Sequence, residues 1–170
     1  HSQMIRPFYW ETTRYGEYSK PGEFVYDHPF QWGSRRIGPD LAREGVTNPN
    51  ALWHYNHFKN PADVTQGSIM PRYPWLFEKK VNFDEIQGRV DAMAMLGVPY
   101  GDMVKAGAAS EAAQAQALAL AVSLEEQGGP SADQTWDTEV IAVIAYLQRL
   151  GTDLYATPAE AEPAESEVQP

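Results

Sequence analysis

Residues 68–76 read Ser68-Ile69-Met70-Pro71-Arg72-Tyr73-Pro74-Trp75-Leu76, a methionine set between prolines and large aromatics with neither helical nor strand period. Pro71 and Pro74 remove two backbone donors and fix φ, and they push Met70 and Tyr73 towards extended conformations. A chain that only has to turn does not need such stiffness. The stretch suits a loop that holds a thioether against something, although a buried methionine is more often core filler. What lies opposite Met70 therefore decides the fold.

Working outward, the downstream half is helical in pattern. Asn82 with Glu85 three residues later resembles a capping box, and the helix behind it puts Ile86, Val90, Met93 and Ala94 on one face before Gly97 and Pro99 stop it. Residues 102–127 are Ala-rich, with Ser110 a candidate internal start, and end at Gly128-Gly129-Pro130. The clearest helix spans 137–150, where Val140, Ile141, Val143, Ile144, Leu147 and Leu150 form a broad apolar face, with Gly151 at the C-cap. Upstream, Asn48-Pro49 starts a short helix to about Phe58, and Asn60-Pro61 repeats the signal. Residues 1–46 are rich in aromatics, Gly, Pro and Arg and lack periodicity, so they read as a long ordered loop region, with a short strand around Phe24 and Tyr26. Loops of that length in a compact domain usually wrap a ligand or a partner. The expectation is an all-α domain over 1–152, with 81–135 as a helical extension inside it. An acidic tail, 153–170, has no Lys or Arg and reads as disordered.

Composition limits the function classes. The 170 residues carry a net charge of −10 and no cysteine, which excludes disulfides and thiolate metal sites among them. Residues 1–80 hold ten Lys/Arg against eight Asp/Glu, and 81–170 hold three against fifteen. No basic stripe results, so nucleic acid is not expected as a partner. No apolar run approaches the roughly 18 residues that cross a bilayer. The chain opens on His1 rather than Met, which leads us to expect a chain that is processed, cut or partly represented.

Several constellations invite chemistry. His54 and His57 lie three apart on one helical face and could share a metal, with His28 or Asp63 as a third ligand. Asp27-His28 could pair carboxylate with imidazole, but no serine sits in a nucleophile-elbow setting and no phosphate loop is present. The stronger set is ordered: His1, then Gly38-Pro39-Asp40-Leu41, then Met70, then the helix containing Tyr146-Leu147. That is the order of a monohaem c-type cytochrome, in which imidazole and thioether take the two axial positions on iron and raise its potential. The ligating imidazole needs its other nitrogen fixed by an acceptor, and the Pro39 carbonyl is the natural candidate.

The residues go further than that pattern. His1-Ser2-Gln3-Met4-Ile5-Arg6-Pro7-Phe8, Arg14-Tyr15-Gly16, Gly22 to Phe30, Trp32-Gly33-Ser34, Gly38 to Arg43 and Met70 to Leu76 closely resemble the monohaem cytochrome c subunit (subunit II) of cbb3-type cytochrome c oxidases. The likeness continues through Gly97-Val98-Pro99-Tyr100 and Ile144 to Gly151, covering about 1–151.

The resemblance implies an all-α, cytochrome c-like haem domain that holds one haem c. His1 would close a Cys-x-x-Cys-His attachment motif, and Met70 would be the distal ligand. Metal ligands are then His1 and Met70, and cofactor contacts are His1, Met70, Pro39, Arg36, Tyr73 and Trp75. Arg14 or Arg35 are alternatives to Arg36 at the propionates, and Trp32 is a further wall residue. The implied role is non-catalytic one-electron transfer to the haem–copper catalytic subunit, beside another cytochrome c subunit. The implied location is the periplasmic face of the bacterial inner membrane, anchored through an N-terminal helix. This chain starts at the His, so the attachment cysteines, the first cytochrome helix and the anchor are absent from it. Weak haem binding and an uncovered apolar face on helix 137–150 are therefore expected. A freely diffusing monohaem carrier and a haem-free periplasmic interaction domain remain the alternatives.

Overall fold

The computed structural model describes residues 1–29 and 36–155. Trp32, Arg35 and the tail from Ala156 onward lie outside the described residues. The order of α-helices is α1 (Tyr9–Tyr15), α2 (Glu44–Thr47), α3 (Ala51–Lys59), α4 (Pro61–Val64), α5 (Trp75–Glu78), α6 (Asp84–Met95), α7 (Ala108–Glu126), α8 (Ala132–Thr135) and α9 (Glu139–Arg149). Among the described residues three 3-10 turns, Pro21–Phe24, Gly101–Val104 and Thr152–Tyr155, complete the set. Extended pairing among the described residues is limited to two isolated bridges, Ser2 with Asp40 and Lys80 with Thr138. Over the described residues the domain is all-α.

Helix α9 is the axis. Val140, Ile141, Ile144 and Leu147 are 0, 1, 0 and 7 % exposed. At roughly 1.5–3 kcal/mol for each large apolar side chain buried, these four contribute about 6–12 kcal/mol before entropy is counted. That is comparable to the entire net stability of a typical domain, about 5–15 kcal/mol. The uncovered face expected of this helix is thus not observed. Helices α2, α3, α5 and α7 close over it, and α7 can come close because it buries Ala109, Ala117 and Ala121, with Leu124 as its one large buried residue. Residues 81–135 accordingly supply part of the core around α9. On the flank of α9 an apolar groove of about 310 Å³ remains, between Phe83, Ile86, Trp136, Ala142 and Tyr146.

The end of α9 is tied to α2 by glycines that permit backbone contact. Gly45 N donates to the Leu150 carbonyl at 3.0 Å. A Cβ on Gly45 would sit 2.6 Å from the Gln148 carbonyl carbon. Gly151, at φ 82°, takes the left-handed conformation that stops the helix.

Three readings of the first sixty residues change. The region 1–46 contains α1 and a 3-10 turn, so it is not all loop. No strand forms at Phe24 and Tyr26; Pro21 at the first position and Glu23 Oε1 accepting from Lys20 N at 2.9 Å close a 3-10 turn instead. The helix expected from Asn48-Pro49 starts two residues later, because Asn50 Oδ1 accepts from Trp53 N at 2.7 Å. The Asn48 carbonyl is used elsewhere, facing His54 Nε2 at 2.8 Å.

Candidate functional site

The site is built from two separate supports. The first surrounds His1. Its side chain is exposed, and Nδ1 lies 3.0 Å from the Pro39 carbonyl. A carbonyl can only accept, so Nδ1 carries a proton, and in the neutral ring Nε2 keeps its lone pair free. Gly38 makes the position possible: a Cβ there would stand 2.6 Å from Nε2 and 2.7 Å from Nδ1. The imidazole therefore rests flat against bare backbone.

Behind His1 lies a buried ionic cluster that sequence reasoning did not find. Glu11 is fully buried, and Asp40 and Arg36 side chains are 0 and 6 % exposed. Glu11 accepts from Arg6 N at 2.8 Å and from Arg6 Nε at 2.5 Å, and also pairs with Arg6 Nη2. Arg36 Nη1 stands 2.9 Å from Glu11 Oε2 as an ion pair without hydrogen-bond alignment. Arg36 Nη2 donates to Asp40 Oδ2 at 3.0 Å and to the Met4 carbonyl at 2.8 Å, and Nε donates to Ser2 Oγ at 2.9 Å. Ser2 Oγ in turn donates to Asp40 Oδ2 at 2.5 Å. Burial pushes the Glu11 carboxyl up, but hydrogen bonds from Arg6 and the adjacent Arg36 guanidinium reverse this and hold it below its ordinary range. Burial likewise works against the Arg36 charge, and Glu11 and Asp40 more than restore it. Arg36, read as a propionate partner, has its guanidinium occupied by this cluster. Arg14 stacks over Tyr15 at 5.3 Å.

The second support carries Met70, which is half-buried. Its amide donates to Ser68 Oγ at 3.2 Å. Arg72 Nε donates to Asn60 Oδ1 at 3.0 Å, and Tyr73 N donates to the Phe58 carbonyl at 3.2 Å, so the loop is pinned to the end of α3. The Tyr73 ring meets Phe58 and Trp75 edge-on at 5.8 and 5.3 Å. Pro74, at φ −58°, is the N-cap of α5. The structure thus joins His1 to Pro39 and Tyr73 to Trp75, while no hydrogen bond or ring contact among the described residues joins Met70 to His1.

The histidines of α3 do not form a metal site. His54 is buried on the Asn48 carbonyl, and His57 stacks on Trp53 at 4.6 Å. Burial, with His54 nearby, lowers the His57 pKa. Among the described residues no group of three or more His, Asp or Glu could hold a metal ion.

The structure thus offers an imidazole with Nδ1 held on a carbonyl and, on a separate support, a thioether in a stiff loop. The family model described as cytochrome c oxidase, mono-heme subunit/FixO matches residues 1–154. The chain belongs to that family. It is a mono-haem subunit of a cytochrome oxidase complex and a component of electron transport, in line with the resemblance to cbb3-type oxidases. No curated protein matches the chain. His1 and Met70 carry donor types that suit the family's haem iron. With no cysteine among the 170 residues, none of them can form a thioether to the macrocycle.

Of these residues, His1, Pro39 and Met70 were singled out in the sequence, by their order and by the family resemblance. Ser2, Glu11 and the side chain of Asp40 were not. A buried acid in Tyr9-Trp10-Glu11 has no periodic signature, and its partner Arg36 is 25 residues away.

Proposed function

We propose that the chain relays single electrons to the haem–copper catalytic subunit of a terminal oxidase, at the periplasmic face of a bacterial inner membrane. In this reading His1 is the proximal ligand and Met70 the distal ligand of one haem c. When bound, the haem iron supplies the one-electron Fe(II)/Fe(III) couple. The residues of this chain supply the ligands and their orientation. Pro39 holds the Nδ1 proton of His1, which keeps Nε2 the donor atom. Met70 contributes a weakly basic sulfur, which favours the reduced state. Tyr73 and Trp75 wall the Met70 side.

The single observation that carries the reading is the 3.0 Å contact between His1 Nδ1 and the Pro39 carbonyl. The test is Met70→Ala in the full-length, haem-loaded subunit. The weak near-infrared band of Met-to-iron(III) ligation is expected to vanish. Its survival would remove Met70 from the site. Copurification with membrane subunits is the second arm, since a freely diffusing carrier would instead run as a lone monomer.

A further inference from the structure

We infer that Ser2 and Asp40, backed by Arg36 and Glu11, are positioning residues for the His1 imidazole. The inference rests on reading His1 as the iron ligand. The acceptor of its Nδ1 proton is the carbonyl of the Pro39–Asp40 peptide, so whatever fixes that peptide relative to residue 1 fixes the ring. Asp40 does so from three sides. Its Oδ1 accepts from Ala42 N at 2.8 Å, and its Oδ2 takes both Ser2 Oγ at 2.5 Å and Arg36 Nη2 at 3.0 Å. The backbone repeats the tie, with Leu41 N donating to the Ser2 carbonyl at 2.7 Å. Acceptor peptide and ligand are thus each one residue from the same buried staple.

The cluster reaches further along the same segment. Arg36 holds Ser2 Oγ and the Met4 carbonyl, and Glu11 holds Arg6 N. Residues 2, 4 and 6, all just after the ligand, are therefore held by side chains from 11, 36 and 40. Stability is a poor reason for such an arrangement. Burying ions is costly, and replacing a buried ion cluster by apolar residues is often neutral or stabilising. What an ionic cluster gives that apolar packing does not is direction and register, because each oxygen and nitrogen accepts partners only along its own axes. Here that register bears on the donor strength of Nε2. A well-aligned Nδ1–H···O bond makes an imidazole a better donor and favours the oxidised iron.

The experiment uses the full-length haem-loaded subunit and the variants Ser2→Ala, Ser2→Thr and Asp40→Asn. In the diamagnetic low-spin ferrous state, NMR reports solvent exchange of the His1 Nδ1 proton. We expect Ser2→Ala to speed that exchange at least about tenfold, the factor that loss of roughly 1.4 kcal/mol of hydrogen-bond free energy produces. The reduction potential should rise in the same variant, which alters no charge. Ser2→Thr keeps the hydroxyl and should restore both. Wild-type exchange and potential in Ser2→Ala would overturn the inference, even if Asp40→Asn proves too unstable to purify. The ligand reading fails separately: if His1→Ala leaves the iron ligation unchanged, His1 is not the ligand at all.

Discussion

Replacing Gly38 by alanine isolates the seat of His1 from the rest of the domain. The new methyl would lie 2.6 Å from Nε2 and 2.7 Å from Nδ1 of the imidazole, whereas non-bonded heavy atoms settle at roughly 3.5 Å. One partner must move by roughly 1 Å. His1 is exposed at its side chain, so the ring gives way rather than the backbone. A displacement of that size takes the 3.0 Å contact to Pro39 out to about 4 Å, beyond hydrogen-bonding range. The lost bond is worth about 0.5–1.5 kcal/mol. Stability should therefore fall by no more than about 1.5 kcal/mol, while the tautomer preference for Nδ1–H drops by up to about tenfold. Urea denaturation measures the first quantity, and ¹⁵N chemical shifts of the labelled imidazole measure the second. Stability lost by several kcal/mol with the tautomer unchanged would refute the argument, since it would make Gly38 a folding residue and leave the ring elsewhere.

Gly45→Ala should behave in the opposite way. Its Cβ would meet backbone, the Gln148 carbonyl carbon at 2.6 Å and the Leu150 carbonyl oxygen at 2.9 Å, and backbone on α9 cannot swing aside. A cost of about 1–3 kcal/mol corresponds to a Tm lower by roughly 2–12 °C for a chain of this size. A melt within about 1 °C of wild type would show that α2 and α9 are not locked together there. Acid stability should report Glu11. Its carboxyl is held below the ordinary 4.5 in the fold, so it contributes stability that is complete above that value and is lost as pH falls through the lower folded value. Urea midpoints should fall as pH drops below about 4.5, and Glu11→Gln should flatten that part of the profile. An unchanged slope in the variant would mean the acid sensitivity comes from other carboxylates.

What the sequence made legible was what is local. Helix α9 could be read because Val140, Ile141, Ile144 and Leu147 repeat at helical spacing and all four are buried. Helix α6 could be read for the same reason, with Ile86, Val90, Met93 and Ala94 half-buried along one side. Helix α1 could not, because its pattern is reversed. Its one buried residue is Glu11, while Phe8, Tyr9 and Trp10 are 49, 86 and 55 % exposed. Hydrophobic periodicity assigns such a segment to the wrong side or to no element at all. Its fixing partner, Arg36, comes from a distant stretch with no period of its own. The start of α3 was misread for a related reason. Asn48-Pro49 and Asn50 offer two caps that look alike locally, and the choice is visible only once His54 has claimed the Asn48 carbonyl.

The supports of His1 and Met70 differ in kind, and the difference follows from their chemistry. Imidazole has a second nitrogen, so its orientation can be set by a hydrogen bond, and the chain surrounds that bond with directional ionic contacts between buried residues. A thioether offers no second handle, because its sulfur is at most a weak acceptor. Met70 can therefore be oriented only through its backbone and its neighbours. The chain does this with two prolines, three pins to residues 58, 60 and 68, and a pair of edge-on aromatic contacts. Ile69, adjacent to Met70, is 86 % exposed, so the loop is not embedded as the cluster behind His1 is. Stiffness at Met70 is thus covalent in origin and readable in the sequence as Pro71 and Pro74. Stiffness at His1 is electrostatic in origin and becomes visible only when residues 2, 11, 36 and 40 are brought together.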